Sequence, residues 1–364
     1  MKVLIINAIL YTSETTEVKK VKTIKDTMIY DLCIAFKNKG HDVSLIAAEE
    51  YKPIVEENYP FKIIWLKSYF KKLFITNKIP YNIGIKEIVK NNNFDLIICS
   101  EVFSIDTYLA VKYSKSKRNI VIWQEMAFHQ KMAKQMASKI WHNLIVKNAY
   151  KNIKIVPRTQ NAREFIKQYS NNVSDNIISH GINLEKFFIS DKKTNSFVIC
   201  SQLIKRKRID KSILAFKEYV TLIDSNFILY IIGNGNEKSS LQELVERENL
   251  NENVIFTGSL SHKQMIGYLN KAKAMLVYTE KDNSMISIAE SLAVATPVIT
   301  TSIPDNAVTI TEGNLGIVND FWGYNELELI VKENDKYISN CKKYRAYIDN
   351  EYHVGQFIDE VIKK

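Results

Sequence analysis

The chain is poor in the residues that break or staple a fold. Eleven Gly and six Pro in 364 residues argue against long disordered linkers. Four Cys, with no CxxC and no Cys/His metal spacing, argue against a disulfide framework or a zinc module. Reduced thiols in a cytosolic protein are the plain expectation. Cys33, Cys99 and Cys200 lie in apolar surroundings, whereas Cys341 sits in a polar, Lys-rich stretch. No window reaches ~18 consecutive apolar residues, so nothing reads as a membrane span. The opening MKVLIINAIL is too short for one and lacks a small-residue cleavage pattern after it, so it reads as a first strand.

What remains is an ordinary globular balance, 46% hydrophobic and 25% charged, enough for two domains with sizeable cores. Lys and Arg number 50 against 40 Asp and Glu, a formal charge of +10. Such an excess favours an anionic partner: nucleic acid, a phosphorylated small molecule or an anionic membrane. β-rich runs at 3–9, 43–47, 62–66, 94–99 and 119–123 alternate with helical patterns at 24–39, 104–117 and 127–148. Gly40 supplies the C′ residue of the first helix. The pattern restarts, with strands expected at 196–200, 227–232, 253–256, 274–278, 297–300 and 315–318. Helices are expected at 209–223, 237–249, 262–271, 285–294 and 325–344. Buried strand, helix, buried strand is the mark of a parallel sheet covered on both faces. The fold class is therefore α/β, with two doubly wound halves joined around 180–195. The halves share no sequence period, so they are not a repeat.

In open parallel sheets, ligands sit beyond the carboxyl ends of the strands. After 227–232 come Gly233 and Gly235, opening a helix whose N-terminus favours an anion. Taken alone, this GxG is more often a turn than a binding loop. After 196–200 comes SQLIKRKRIDKS, in which Lys205, Arg206, Lys207 and Arg208 run together. The run suits a diphosphate, although a solvated charge run is the more ordinary reading. After 253–256, Gly258 makes a turn and Ser261 is an N-cap candidate. After 274–278 stands KDNSMISIAESLAVATPVITT. Asp282, Asn283 and Ser284 carry N-cap chemistry. Glu290 lies among Ile286, Ile288, Ala289, Leu292 and Ala293, where a carboxylate needs a partner.

The order of these pieces carries a resemblance. HGINLEKF, SQLIKRKRID, IIGNGNEKSSLQEL, VIFTGSLSHKQMIGYL and YTEKDNSMISIAESLAVATPVIT, in that order, resemble the C-terminal domain of family 4 glycosyltransferases over roughly 180–318. The N-terminal half resembles the family in architecture and in its opening, MKVLIINAIL with NKGHDVSLIA. The resemblance implies a GT-B fold, two Rossmann-like domains facing a central cleft. The implied division is an acceptor-side domain 1–180, a nucleotide-sugar domain 181–345 and a C-terminal helix 346–364 crossing back. It further implies transfer from a nucleotide diphosphate sugar, a UDP- or GDP-sugar, with retention and without metal or other cofactor. The chain holds no Asp-x-Asp, in keeping with that. The leaving diphosphate must then be neutralised by side chains and helix dipoles.

Carried over residue by residue, Lys207 falls on the family's diphosphate-binding Lys, with Arg206 beside it. Asp282 and Glu290 fall on its paired acids, the first toward the donor sugar and the second toward the ribose diol. The amides of Ser284, Met285 and Ile286, with Asn283 before them, are implied at the diphosphate. Leu260, Ser261 and His262 present backbone to the base. Ser201 and Gln202 stand where the family has Gly-Arg, and Ala295 where it has Gly. A left-handed Ala there would cost about 1 kcal/mol. Gln124, Glu125 and His129 are the candidates on the acceptor side, and the glycine loop usual after the first strand is missing.

The expected function is sugar transfer to a glycan or lipid-linked acceptor in bacterial cell-surface polysaccharide synthesis. A non-catalytic scaffold of the same fold, binding nucleotide or glycan, is the second reading, motivated by these departures. Nucleic acid ranks last, for want of an interleaved aromatic-basic motif. The expected location is cytoplasmic, with a peripheral place on the inner face of the membrane as an extension. It rests on the basic, apolar segment 129–151, which reads either as a core-packed helix or as one lying on anionic lipid.

Overall fold

The computed structural model describes every residue except 12–17, 19–20, 73–77, 129, 191 and 363–364. The chain forms two compact units, residues 1–181 with those from Asn350 onward, and Ile182–Asp349. Each is built on a six-stranded, all-parallel sheet.

In the first unit the strands are β1 (Lys2–Ile6), β2 (Asp42–Ala48), β3 (Lys62–Leu66), β4 (Leu96–Ser100), β5 (Ile120–Gln124) and β6 (Lys154–Pro157), in the order β3-β2-β1-β4-β5-β6. Runs such as IVIW in β5 are apolar at successive positions because helices cover both faces of the sheet. β6 is absent from the sequence expectation. It has four residues, opens on Lys and closes on Pro157. A proline without an N–H is tolerated there because β6 lies at the sheet edge. The helix Met28–Asn38 ends as expected at Gly40, whose φ is +78°. The helix Asn350–Ile362 packs on this unit, placing Phe357 against Phe36 and edge-on to Trp123.

The second unit holds β7 (Ser196–Cys200), β8 (Ile228–Ile232), β9 (Val254–Gly258), β10 (Ala274–Leu276), β11 (Val298–Thr300) and β12 (Gly316–Val318), ordered β12-β11-β10-β7-β8-β9. The chain returns to the first unit at Asn350, later than the expected 346, because Ile348 still packs in the second core. The single helix expected at 325–344 is two, Tyr324–Lys332 and Asn334–Tyr344. Cys341, in its polar, Lys-rich stretch, is wholly buried, since Tyr337 and Cys341, four apart, share the buried face of the second. The four cysteines are free and buried.

In both sheets the strand order reverses at a switch point, between β1 and β4 in one unit and between β7 and β10 in the other. The crevice beyond the strand ends there is where such sheets bind ligands.

Candidate functional site

At the β7/β10 switch the two loops meet through charge. The loop after β7 coils into a short 3-10 turn, Lys205–Lys207. The loop after β10 carries Asp282, whose carboxylate receives Lys207 Nζ at 2.7 Å and Arg206 at 2.9 Å. Thr279 Oγ1 donates to Asp282 Oδ2 at 2.6 Å. The Lys207 and Asp282 side chains are mostly buried, whereas Arg206 is more open. Burial pulls the Lys207 ammonium below the ordinary lysine range, and Asp282 opposes that shift. Asp282 is not an N-cap: its helix, Ile286–Ala293, begins later, with Met285 in the capping position. The Met285 amide donates to Asn306 Oδ1 at 2.6 Å, so the structure gives it a protein partner in place of the diphosphate expected there.

Glu290 is buried in that helix, and the partner its burial requires is His262. His262 Nε2 lies 2.6 Å from Glu290 Oε1. A carboxylate accepts, so Nε2 carries the proton. The His262 ring rests edge-on against Phe187, which fixes its plane. Sequence reasoning gave His262 only a backbone role; its ring orients Glu290. Burial, and then the nearby Glu290, raise the thiol pKa of Cys200 at the end of β7. Ser261 caps the helix His262–Lys271 in a reciprocal box with Gln264, as expected.

Gly233 and Gly235 have a local explanation. A Cβ on Gly233, whose φ is +140°, would stand 1.8 Å from the Ser201 carbonyl oxygen, and one on Gly235 would stand 2.2 Å from that of Leu203. The close backbone approach that these glycines permit is to the loop after β7. They set the position of Ser201–Leu203, with Gln202 exposed, ahead of Lys207. Ala295 keeps the left-handed conformation, with φ +54°.

The first unit has a polar cluster at its own switch. Arg158, just after β6, is buried with its guanidinium 3.8 Å above the Trp123 ring. It donates to Glu125 at 2.9 Å, to His180 Nε2 at 3.0 Å and to Ser100 Oγ at 3.4 Å. Burial and Arg158 lower the His180 pKa, and Glu125 opposes them. Burial alone would raise Glu125, but His180 and Arg158 hold it at about 2. Glu101, with φ +67°, accepts from the amides of Glu125 and Met126. Burial raises its carboxyl to about 7 against the pull of Arg158. Asn7, Ser100, Glu101, Glu125 and Arg158 line a cavity of about 320 Å³. Gln124 does not join them. It is wholly buried, accepting from Val102 N and donating to Met126 O, so it ties backbone together and is closed to an acceptor. His129 lies outside the described residues.

Residues 183–354 match the family model described as glycosyl transferases group 1. Over those residues the chain is similar to the group 1 glycosyl transferases. An O-antigen biosynthesis glycosyltransferase of Escherichia coli, WclY, is 33% identical over 106 residues, 29% of this chain and 28% of that protein. The match thus spans under a third of the curated relative's length. Among solved structures, a sucrose-phosphate synthase from Thermosynechococcus elongatus aligns over 100% of this chain and 99% of its own at 15% identity, TM-score 0.69. Anabaena HepE, solved with UDP and glucose, aligns over 100% of both chains at 12% identity, TM-score 0.64. The fold is GT-B.

The matched segment holds Lys207, Arg206 and Asp282 in one contact set, and Glu290 with His262 in another. Leu260 packs partly against the core beside them, while Asn283, Ser284 and the exposed Ile286 follow Asp282 into the helix. The cluster of Glu101, Arg158 and His180 precedes the matched segment and was missed. Its signal was available: Glu101 directly follows β4, an expected strand, and Arg158 directly follows β6, which was not expected.

Proposed function

We propose that the protein transfers a sugar from a nucleotide diphosphate sugar, a UDP- or GDP-sugar, to a glycan or lipid-linked acceptor with retention at the anomeric carbon. The observation that carries this reading is the joining of Lys207, Arg206 and Asp282 at the β7/β10 switch, eight positions before the His262-bound Glu290. Lys207 and Arg206 neutralise the departing diphosphate, with no metal required. Glu290, oriented by His262, accepts from the ribose diol through its remaining lone pairs. Asp282 holds Lys207 until the donor arrives and then faces the sugar. The acceptor hydroxyl bonds to the anomeric carbon on the face that the diphosphate leaves, and a diphosphate oxygen takes its proton. The E. coli relative, named for O-antigen synthesis, supports a cell-surface polysaccharide product. HepE, solved with UDP and glucose, supports the donor class. Peripheral contact with an anionic membrane belongs to the same reading.

The test is turnover of a panel of UDP- and GDP-sugars with and without EDTA. One donor is consumed, EDTA leaves the rate unchanged, and Lys207→Ala lowers kcat by about 10²-fold or more. Consumption of none of them by the wild-type chain supports the scaffold reading instead.

A further inference from the structure

The first unit holds a second cavity beside the polar one. It has a volume of about 550 Å³ and is lined by Phe103, Ile105, Met132 and Trp141, with Lys78 and Lys131 among its walls. Lys78, Phe103 and Met132 line both cavities, so the apolar space opens beside the pocket of Glu101, Glu125 and Arg158. Trp141 is held in place by its indole N–H, which donates to Val102 O at 2.9 Å. The helix that carries it runs from Met136 through a π-turn at His142–Val146 to Ala149. Its outer face presents Met136, Ile140 and Leu144, four residues apart, at 77%, 52% and 62% exposure. Lys134, Lys139, Lys147 and Lys151 are exposed on the same segment. No Asp or Glu occurs between Glu125 and Glu164.

An apolar stripe whose only charged neighbours on the segment are cations, beside an apolar cavity that shares walls with a polar one, has the chemistry of a surface for an anionic amphiphile. We infer that the 550 Å³ cavity takes the hydrocarbon chain of a phosphate-linked lipid acceptor. Lys78 and Lys131 meet its phosphate, and its sugar end reaches the pocket of Glu101 and Arg158. The inference rests on the glycosyltransferase reading for the word acceptor. The site itself stands on the first unit alone. Lys78 and Lys131 have no acidic partner among the described residues, which leaves their charge for the phosphate.

The experiment is calorimetric titration of the whole chain with submicellar alkyl phosphates of rising chain length, from butyl to dodecyl. Affinity should rise by up to about fourfold per methylene until the cavity is full. Dodecyl phosphate should bind more tightly than dodecanol. Ala137→Trp places bulk at an exposed wall of the cavity and should weaken dodecyl phosphate at least tenfold, and Lys131→Glu should abolish the preference for phosphate. Both variants should keep the wild-type response to nucleoside diphosphates, a readout of the second unit. Chain-length independence, or equal binding by Ala137→Trp, overturns the inference. So does a concentration-dependent dimer dispersed by Met136→Glu, which would assign the face to a second copy. If alkyl phosphates bind as described and no nucleotide sugar is consumed, the lipid site survives and the transferase reading fails.

Discussion

Asp282 shows how one residue changes meaning once its neighbours are known. In sequence it is an N-cap or a sugar ligand; in the fold it holds Lys207 and Arg206. The contact makes a prediction about pH. Burial lowers the Lys207 pKa and Asp282 raises it, so removing the acid lowers it further. In Asp282→Asn the ammonium is lost at lower pH, and the alkaline limb of the kcat/KM profile moves down. An unmoved limb would mean that Lys207 is not the cation titrating there. Glu290 was legible from burial logic alone, because a carboxylate on an apolar helix demands a partner. The identity of that partner was not legible, since His262 is brought to it by the fold across 28 positions. Arg158 was hidden for the same reason. Its stack on Trp123 and its bond to Glu125 join β5 to the end of β6, and no local spacing announces them.

Elements were read well where they are long and periodic. The run SFVIC and the helix His262–Lys271 stand where the sequence puts them. β6 was lost because four residues with a Lys and a Pro carry too little pattern. The break at Glu333 was lost because both flanking helices are amphipathic and meet without Gly or Pro. The two glycines after β8 also belong to this scale. Gly233→Ala drives a methyl group into the Ser201 carbonyl at a φ of +140°, so the loop after β7 must move. The variant should unfold at clearly lower urea, by more than about 2 kcal/mol, and bind nucleotide weakly even where folded. Wild-type stability would show that the two loops do not cross as closely as described. Ala295 is the milder case. Relief of its left-handed strain in Ala295→Gly is offset by a lost buried methyl and by the entropy of glycine, each about 1 kcal/mol.

At the scale of the molecule, the two sheets share an order of strands and place chemistry at equivalent switches, but they differ in electrostatics. Among the described residues the first unit carries two raised carboxyls, Glu101 at about 7 and Asp106 at about 8, both raised chiefly by burial. Asp106 accepts only from the Asn82 amide, at 2.9 Å, and its second oxygen is buried without a partner among the described residues. The folded state therefore keeps these protons to higher pH than the unfolded state. Their stabilisation is fully present below the ordinary carboxyl range and is lost as pH rises through about 7 and 8. Asp106→Asn imitates the protonated form. Its stability relative to wild type should grow between pH 5 and pH 8.5 in urea titrations of the first unit, and an equal difference at both would contradict the assignment.

The central claim is that the second unit holds a nucleoside diphosphate by Lys207 and Glu290, and calorimetric titration tests it most directly. UDP or GDP should bind the wild-type chain. Glu290→Ala should weaken that binding by about 10- to 100-fold, the worth of hydrogen bonds to a charged group. Unchanged affinity in Glu290→Ala, or binding of neither nucleotide by the wild type, would contradict the account.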